Sequence, residues 1–430
     1  MAAYRGKNFI FFAVILVVFV ASRADAVAPS TLKLVHLVFR HGDRSPVGSY
    51  PKDPHPPSIW PNGFGQLSQI GMNQHYNLGQ YLRQRYQGFL SDLYVAKEIR
   101  VRSTDVDRTL MSALSDLAGL YPPTGYEVWN KKLPWQPIPV HTIPENDDHL
   151  LSSSAYCPRF DELWHDILNS DKIKTEEREN KAFYDYVKKN AGVVKEGIAN
   201  IWKIADILKI ERIHNFTWPA WVTPDVWSKM VALNNLEFNL KDDSPELVRL
   251  TGGNLLKKMI NDSMSYINHQ MDSSQKMFMY SGHDTTVAPF LSALSLYNQI
   301  PPPYAACAIL ELHQQSSSSE PFFQIWYRND SSRPPYQLTM PGCTASCPLS
   351  KFVALTRHII PGDIDKECRS SHHLPFNLSQ GLVYTAVGVS GLVIVLALIA
   401  VIVVVRRRVC SSGSSSSSAR KYRYLPEYND

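Results

Sequence analysis

The strongest constraint on this chain is an apolar block near its carboxyl end. Residues 382–405 contain no charged side chain, and a run of 24 apolar and small residues is long enough to span a bilayer as a helix. The arginines at 406–408 follow at once, and such a cluster stays on the cytosolic side. The sequence therefore predicts one transmembrane helix, a cytosolic tail at 406–430 and a type I orientation.

A shorter apolar block near the start predicts a secretory signal peptide. Arg5 and Lys7 precede the run 9–20, and an Ala-Asp-Ala tripeptide ending at Ala26 is the kind of site at which signal peptidase cuts. We expect residues 1–26 to be removed. An uncleaved anchor is the alternative, but 12 apolar residues are too few to span a membrane.

The charge distribution argues against a nucleic-acid partner. The formal net charge is +5, but residues 1–26 contribute +2 and residues 406–430 contribute +4. The predicted luminal domain, 27–381, together with the membrane span therefore carries a net charge of −1. The positive charge belongs to the topology signals and does not form a surface that follows phosphates.

Sequons and cysteines agree with a luminal body. The four sequons begin at Asn215, Asn261, Asn329 and Asn377, all between the two apolar blocks. The luminal cysteines are Cys157, Cys307, Cys343, Cys347 and Cys368. Because their number is odd, at least one is a free thiol or pairs between chains. Cys410 lies on the cytosolic side, where palmitoylation and a plain reduced thiol are both open.

The predicted tail contains a short sorting pattern. A serine-rich spacer at 411–418 leads to Tyr422, which is followed three residues later by Leu425. This pattern resembles the tyrosine-based signals read by clathrin adaptors. It favours delivery to the lysosomal or endosomal membrane, directly or by way of the plasma membrane. An uninformative polar tail is the alternative.

Three strand-like runs in the body each end in a polar loop and are followed by a helical stretch. They cover 31–39, 98–101 and 276–280. If these strands are parallel neighbours, the side chains at their carboxyl ends face one crevice. Those side chains are Arg40, His41, Arg44, Arg102, His283 and Asp284. The helix-rich text at about 156–248 predicts a cap inserted into the sheet domain.

This set of side chains predicts phosphate chemistry. Planar guanidinium groups grip two oxygens each, so three converging arginines suit a phosphate monoester. Nearby positive charge should keep His41 neutral, which would let its imidazole attack phosphorus in an acidic compartment. Asp284 could protonate the leaving alkoxide if a partly buried carboxyl keeps its proton near pH 5.

The residues at these strand ends resemble a known family. The heptapeptide from Arg40 to Pro46 matches the Arg-His-Gly-x-Arg-x-Pro signature of the histidine acid phosphatases, and His283-Asp284 matches their second motif. The segment that begins at Arg102 is similar to the prostatic and lysosomal branch of that family. The resemblance extends over about residues 32–368, and the leader, span and tail favour the lysosomal type.

The resemblance implies a fold and a set of roles. It implies an α/β fold with a mostly parallel central sheet flanked by helices, similar to phosphoglycerate mutase, and an inserted helical cap. It implies His41 as a phosphohistidine-forming nucleophile and Asp284 as proton donor, with phosphate bound by Arg40, Arg44, Arg102 and His283. It implies a homodimer with neither metal nor cofactor.

The family's disulfide pattern is expected to be incomplete. The resemblance implies pairs Cys157–Cys368 and Cys343–Cys347. Relatives carry a partner for Cys307 shortly before His214, but residues 210–212 contain no cysteine. Cys307 is then the odd thiol.

A non-catalytic alternative uses the same fold. A sorting receptor could bind phosphorylated cargo without turnover, but loss of the nucleophile would mark that case, and His41 and Asp284 are both present. The sequence has no Gly-x-Ser-x-Gly, P-loop or His-Glu-x-x-His pattern. We therefore expect hydrolysis of small phosphate monoesters below neutral pH.

Overall fold

The computed structural model describes residues 28–317 and 319–369, and a seven-stranded sheet organises them. The strands are β1 (Leu32–Arg40), β2 (Ile99–Ser103), β3 (Met277–Gly282), β4 (Cys307–His313), β5 (Phe322–Arg328), β6 (Tyr336–Leu338) and β7 (Cys347–Pro348). The helices of the first half are α1 (Gln69–Arg85), α2 (Asp107–Leu120), α3 (Pro158–Leu168), α4 (Asp171–Glu179), α5 (Lys181–Ala191) and α6 (Ile198–Ile213). Those of the second half are α7 (Pro224–Asn239), α8 (Pro245–Leu250), α9 (Gly252–Ile267), α10 (Asp284–Ala293), α11 (Leu349–Thr356) and α12 (Ile364–Glu367).

The sheet is mixed, which corrects the expectation of a mostly parallel one. Its strand order is β2-β3-β1-β4-β5-β6, with β7 paired to β5. Only the β2–β3 and β3–β1 pairs are parallel, and the other pairs are antiparallel. The short β4–β5 connection, 314–321, explains part of this difference, because strands joined without a crossover helix must run antiparallel.

Helices cover both faces of the sheet, as the strand sequences require. Along β1, Val35, Leu37 and Phe39 join an apolar cluster with residues of α1 and α2. Leu34 and Val38 point the other way and pack with residues of α9 and α10. A strand that is apolar on both faces belongs in the middle of a sheet. The central position of β1 places its carboxyl end, where Arg40 lies, in the middle of one sheet edge.

A third apolar cluster lies apart from the sheet, within the segment expected to form a cap. Apart from Tyr50, which comes from the loop after β1, it extends from Ile173 in α4 to Leu240 after α7 and includes six buried residues of α6. Caps such as Ser170 and Thr223, whose side chains accept hydrogen bonds from backbone N–H groups, begin α4 and α7. These helices bury their apolar faces against one another. The division into a sheet domain and a cap remains a prediction.

The structure contains two disulfides in its described part. Cys157 is bonded to Cys368, and Cys343 is bonded to Cys347, the two pairs that the resemblance implied. Cys307 is a free, buried thiol at the start of β4. The sequon residues Asn215, Asn261 and Asn329 are exposed.

Several sequence predictions lie outside the described residues. These are the signal peptide at 1–26, the sequon at Asn377, the span at 382–405, the tail at 406–430, and the sorting residues Tyr422 and Leu425. Among the residues that are described, no helix combines the length and the hydropathy needed to cross a bilayer.

A pair of carboxyl groups, one buried and one partly exposed, lies where α6 meets the loop after β1. Glu211 is only 1% exposed, and its neighbours are Asp53 and Tyr50. Burial and the adjacent Asp53 carboxylate raise the pKa of Glu211 to about 8. Glu211 therefore keeps its proton in the folded chain at a pH where the unfolded chain has released it.

This pair should make the fold more stable in acid. A raised carboxyl pKa means that stability falls as pH rises from about 4.3, where the unfolded side chain titrates, to the folded value near 8. Glu211→Gln should remove this loss. We expect its free energy of unfolding to exceed that of the parent chain by about 1–3 kcal/mol at pH 7.5 and to be nearly equal to it at pH 4. Thermal melts across this pH range measure the effect.

The matched control is Glu179→Gln, because Glu179 is an exposed carboxyl at the end of α4. This variant should follow the parent chain at every pH. Equal melting temperatures for the parent and Glu211→Gln throughout would show that Glu211 is ionised when folded.

Candidate active site

The loop after β1 is held close to the start of α1. The N–H of His41 donates to the carbonyl oxygen of Gly282 at the end of β3, which continues the parallel pairing into the loop. A Cβ atom on Gly42 would lie 2.5 Å from the backbone oxygen of Gly71 in α1. Only glycine permits this approach, which explains the glycine in the heptapeptide.

His41 is oriented as a nucleophile. Its side chain is almost fully buried, and Nδ1–H donates to the carbonyl oxygen of Gly42 over 2.7 Å. In the neutral imidazole this leaves the lone pair on Nε2. Burial lowers the pKa of His41 well below its usual value, and the positive charges of Arg40 and Arg44 add to the effect. The ring therefore stays neutral in acid.

Arg40 lies over the ring of Tyr304 and pairs with Asp284. Its Nη2 is 2.9 Å from Oδ2 of Asp284, and its Nη1 donates to the carbonyl oxygen of Pro302 over 2.6 Å. The guanidinium carbon is 4.4 Å from the centre of the Tyr304 ring. The ring of Tyr304 also lies 5.7 Å from that of His41. These contacts fix the guanidinium beside the nucleophile.

Asp284 does not keep its proton in the free site, contrary to the expectation. Burial alone would raise the pKa of this carboxyl, but the positive charge of Arg40, helped by His283, outweighs burial and holds the pKa below its ordinary value. The expected protonation of Asp284 rested on burial alone, and the ion pair with Arg40 reverses the direction of the pKa shift. Asp284 is the first residue of α10, where a carboxylate is also favoured by the helix dipole.

The helix α6 pairs with two successive charged residues of the loop. Arg44 forms a two-pronged ion pair with Asp206, with N–O distances of 3.0 and 3.2 Å. The fully buried carboxylate of Asp43 accepts from Ser68 Oγ at 2.5 Å and lies 2.8 Å from Nε2 of His214, at the end of α6. Through these two contacts Asp43 fixes the conformation of the loop.

His283 links the site to the start of α2. Its Nδ1 accepts from Nη2 of Arg108 at 3.5 Å, so its Nε2–H donates to Oγ1 of Thr104 at 3.0 Å. Burial and the charge of Arg108 lower the pKa of His283 to about 3. Burial and the charge of Arg44 likewise lower the pKa of Arg108, to about 10. Arg108 is therefore part of the cationic cluster.

Arg102, by contrast, lies outside the cluster to which the sequence analysis assigned it. It is the fourth residue of β2, and its guanidinium forms an ion pair with the buried carboxylate of Asp148. Besides burial, the guanidinium charges that lower the pKa of His41 are those of Arg40, Arg44 and Arg108, and Arg102 is not among them. Because Arg102 lies within the strand and not in the loop that follows it, its side chain extends from one face of the sheet.

Four further side chains of this region were not predicted from the sequence: Arg108, Asp206, Lys209 and Tyr304. Arg108 lies six positions after Arg102, so the sequence motif pointed to this segment but not to Arg108. Asp206 and Lys209 come from α6 and Tyr304 from the loop before β4. No local pattern marks these three, because only the tertiary fold brings them to β1.

Within residues 28–317 and 319–369, no group of three or more His, Cys, Asp or Glu side chains is arranged to hold a metal ion.

Comparison with known proteins identifies the family. The family model "Histidine phosphatase superfamily (branch 2)" matches residues 31–328. The chain belongs to this family. It is 44% identical to prostatic acid phosphatase of Bos taurus over 365 residues, which is 84% of this chain and 93% of the relative. It is 40% identical to lysosomal acid phosphatase of Xenopus laevis over 391 residues, which is 90% of each chain.

Solved structures of phytases share the fold. The apo form of Hafnia alvei phytase superposes with a TM-score of 0.60 at 18% identity, covering 80% of this chain and all of that one. At such low identity the match speaks for the architecture alone. It supports an α/β fold in which helices flank a mixed sheet.

The assignment of Arg108 in place of Arg102 predicts a sharp contrast between two variants. Arg108→Met removes a guanidinium beside His283 and should lower kcat/KM for an aryl phosphate about 100-fold, because buried, oriented donors contribute that much to stabilising developing charge. Arg102→Met should keep kcat/KM within about threefold but lower the melting temperature, since it leaves Asp148 buried without its partner. Steady-state kinetics at pH 5 distinguish the two. The reverse ranking would return Arg102 to the phosphate site.

Proposed function

We propose that the chain is an acid phosphatase that hydrolyses phosphate monoesters through a phosphohistidine on His41. One observation carries this proposal: a buried, neutral imidazole with an available Nε2 lies among the guanidinium groups of Arg40, Arg44 and Arg108. The names of the relatives, prostatic and lysosomal acid phosphatase, support the same activity.

In the first step, Nε2 of His41 attacks phosphorus while the ester P–O bond breaks. The three arginines stabilise the charge on the nonbridging oxygens, and His283 holds Arg108 in position for this task. The leaving oxygen takes a proton from Asp284 and departs as the alcohol. The enzyme is left with a phosphorylated His41 and an ionised Asp284.

In the second step, water attacks the phosphohistidine. The Asp284 carboxylate accepts a proton from this water, the N–P bond breaks, and orthophosphate leaves with His41 neutral again. Asp284 thus acts first as an acid and then as a base. The proton that it holds at the end leaves with the product as dihydrogen phosphate, which returns Asp284 to its ionised form.

The charge state of Asp284 supports operation in acid. Its carboxyl is ionised in the free site because Arg40 holds its pKa down. A bound phosphate would share Arg40 and add negative charge nearby, which raises the pKa of Asp284. Below about pH 6 the ester arrives as a monoanion, and its proton can pass to Asp284 on binding. The substrate then supplies the proton that the leaving group needs.

The decisive experiment is a chemical trap. His41→Ala in the full chain should lose measurable turnover of an aryl phosphate at pH 5 with chelator present. An alkaline quench after mixing with labelled substrate should recover acid-labile, base-stable label on the parent chain and none on the variant. Turnover that survives the substitution would place the nucleophile elsewhere.

Asp284→Asn serves as the companion variant, because it keeps the nucleophile and removes the proton donor. It should still take label from an aryl phosphate, whose phenolate leaves without help, but not from an alkyl phosphate. Equal labelling from both esters would contradict the role of Asp284.

The membrane route is part of the same proposal. A cleaved leader at 1–26, a span at 382–405 and the tail signal at Tyr422 and Leu425 support a type I protein with its catalytic domain in the lumen. The lysosomal relatives support a lysosomal destination, reached by clathrin adaptors, and the family resemblance supports a homodimer. The compartment then supplies the acid pH at which the chemistry operates.

The tail predicts a specific sorting defect. Tyr422→Ala should shift the full chain toward the cell surface, because the adaptor would lose the tyrosine ring that it reads. Surface biotinylation measures the shift, and Tyr428→Ala, a tyrosine six residues further on, is the control that should sort normally. Unchanged surface levels in Tyr422→Ala would reject the signal.

A further inference from the structure

A lysine that the mechanism does not use lies at the edge of the active site. Lys209 is on α6, one turn after Asp206, so both side chains extend from the same face of the helix. Its Nζ is 5.7 Å from the centre of the Tyr304 ring, the ring on which Arg40 stacks. Lys209 is also exposed to solvent, so an incoming ligand can reach it.

The other charges near Lys209 are already engaged. Asp284 forms an ion pair with Arg40, and Asp206 forms an ion pair with both terminal nitrogens of Arg44. Within residues 28–317 and 319–369, no carboxylate lies at ion-pair distance from Lys209. In the same part of the chain, the hydroxyl of Tyr304 is buried and has no hydrogen-bond partner. A free cation and an unpartnered polar group thus belong to one corner of the site.

The charge balance leaves room for a second anion. Among the charges that act on Lys209, the positive charges of Arg40 and Arg44 are offset by the carboxylates of Asp284 and Asp206, which leaves the charge of Lys209 itself without a counterion. A phosphate monoester below about pH 6 carries close to a single negative charge. The arginines would bind the phosphate of such an ester, and the charge of Lys209 would remain for a second anionic group on the same ester.

We propose that Lys209 and Tyr304 form a subsite for a second anionic group, so that the preferred esters carry a carboxylate or a further phosphate on the alcohol portion. This inference rests on the proposed function, because it assigns part of the substrate beside the phosphate. Lys209 determines specificity here: it contacts the second anion and takes no part in the transfer of the phosphoryl group.

The test compares two phosphonates that cannot be hydrolysed and that differ in one group. Propylphosphonate ends in a methyl group, and 3-phosphonopropionate carries a carboxylate in its place. Calorimetry on the full chain at pH 5.5 should give tighter binding of the carboxylated compound. Lys209→Met should reduce the ratio of the two dissociation constants by about fivefold, the effect of losing one partly exposed ion pair.

Lys203→Met is the matched control, since Lys203 is an exposed lysine on the same helix whose Nζ contacts Asn200 instead. It should keep the ratio of the parent chain. An unchanged ratio in Lys209→Met, or no carboxylate preference in the parent chain, would overturn the inference. Turnover of phenyl phosphate by the same parent sample tests the proposed function separately, so that the two failures can be told apart.

Discussion

Repulsion between like charges governs this molecule. A phosphate site needs several guanidinium groups around one imidazole, yet buried cations repel one another strongly because little solvent screens them. The chain meets this constraint with carboxylates placed against individual arginines: Asp206 against Arg44 and Asp284 against Arg40. Burial lowers the pKa of His41, and the positive charge that remains adds to this effect and favours the binding of an anion.

The two carboxylates come from different parts of the chain, and this couples assembly to chemistry. Asp284 begins α10 next to the sheet, whereas Asp206 belongs to α6 and its separate apolar cluster. The positive charge of Arg44 is therefore balanced when α6 packs against the loop after β1. The contact between His214 and Asp43 helps to hold α6 in that position. An error in packing α6 would disturb the cationic site even if the sheet remained intact.

The sequence predicted those parts of the site whose residues are close together in the chain. The heptapeptide after β1 and the pair His283-Asp284 after β3 were found because strand, loop and helix follow one another. Strands β4 to β7 were not predicted; Glu311 and His313 interrupt the apolar pattern of β4, and Glu311 is accommodated by remote Arg85 and Tyr86. Arg108 and the ionised state of Asp284 were missed for a similar reason, since each depends on which side chains the fold brings alongside.

The bond between Cys157 and Cys368 bears on how the protein would endure a compartment rich in proteases. The two cysteines are 211 positions apart, and His283 and Asp284 lie on the stretch that they enclose. A single backbone cut anywhere along that stretch would leave both fragments joined through sulfur. Nicked molecules would then travel as intact chains on an electrophoresis gel until a reductant was added, and exposed loops within the enclosed stretch could be cleaved without releasing either half of the catalytic centre.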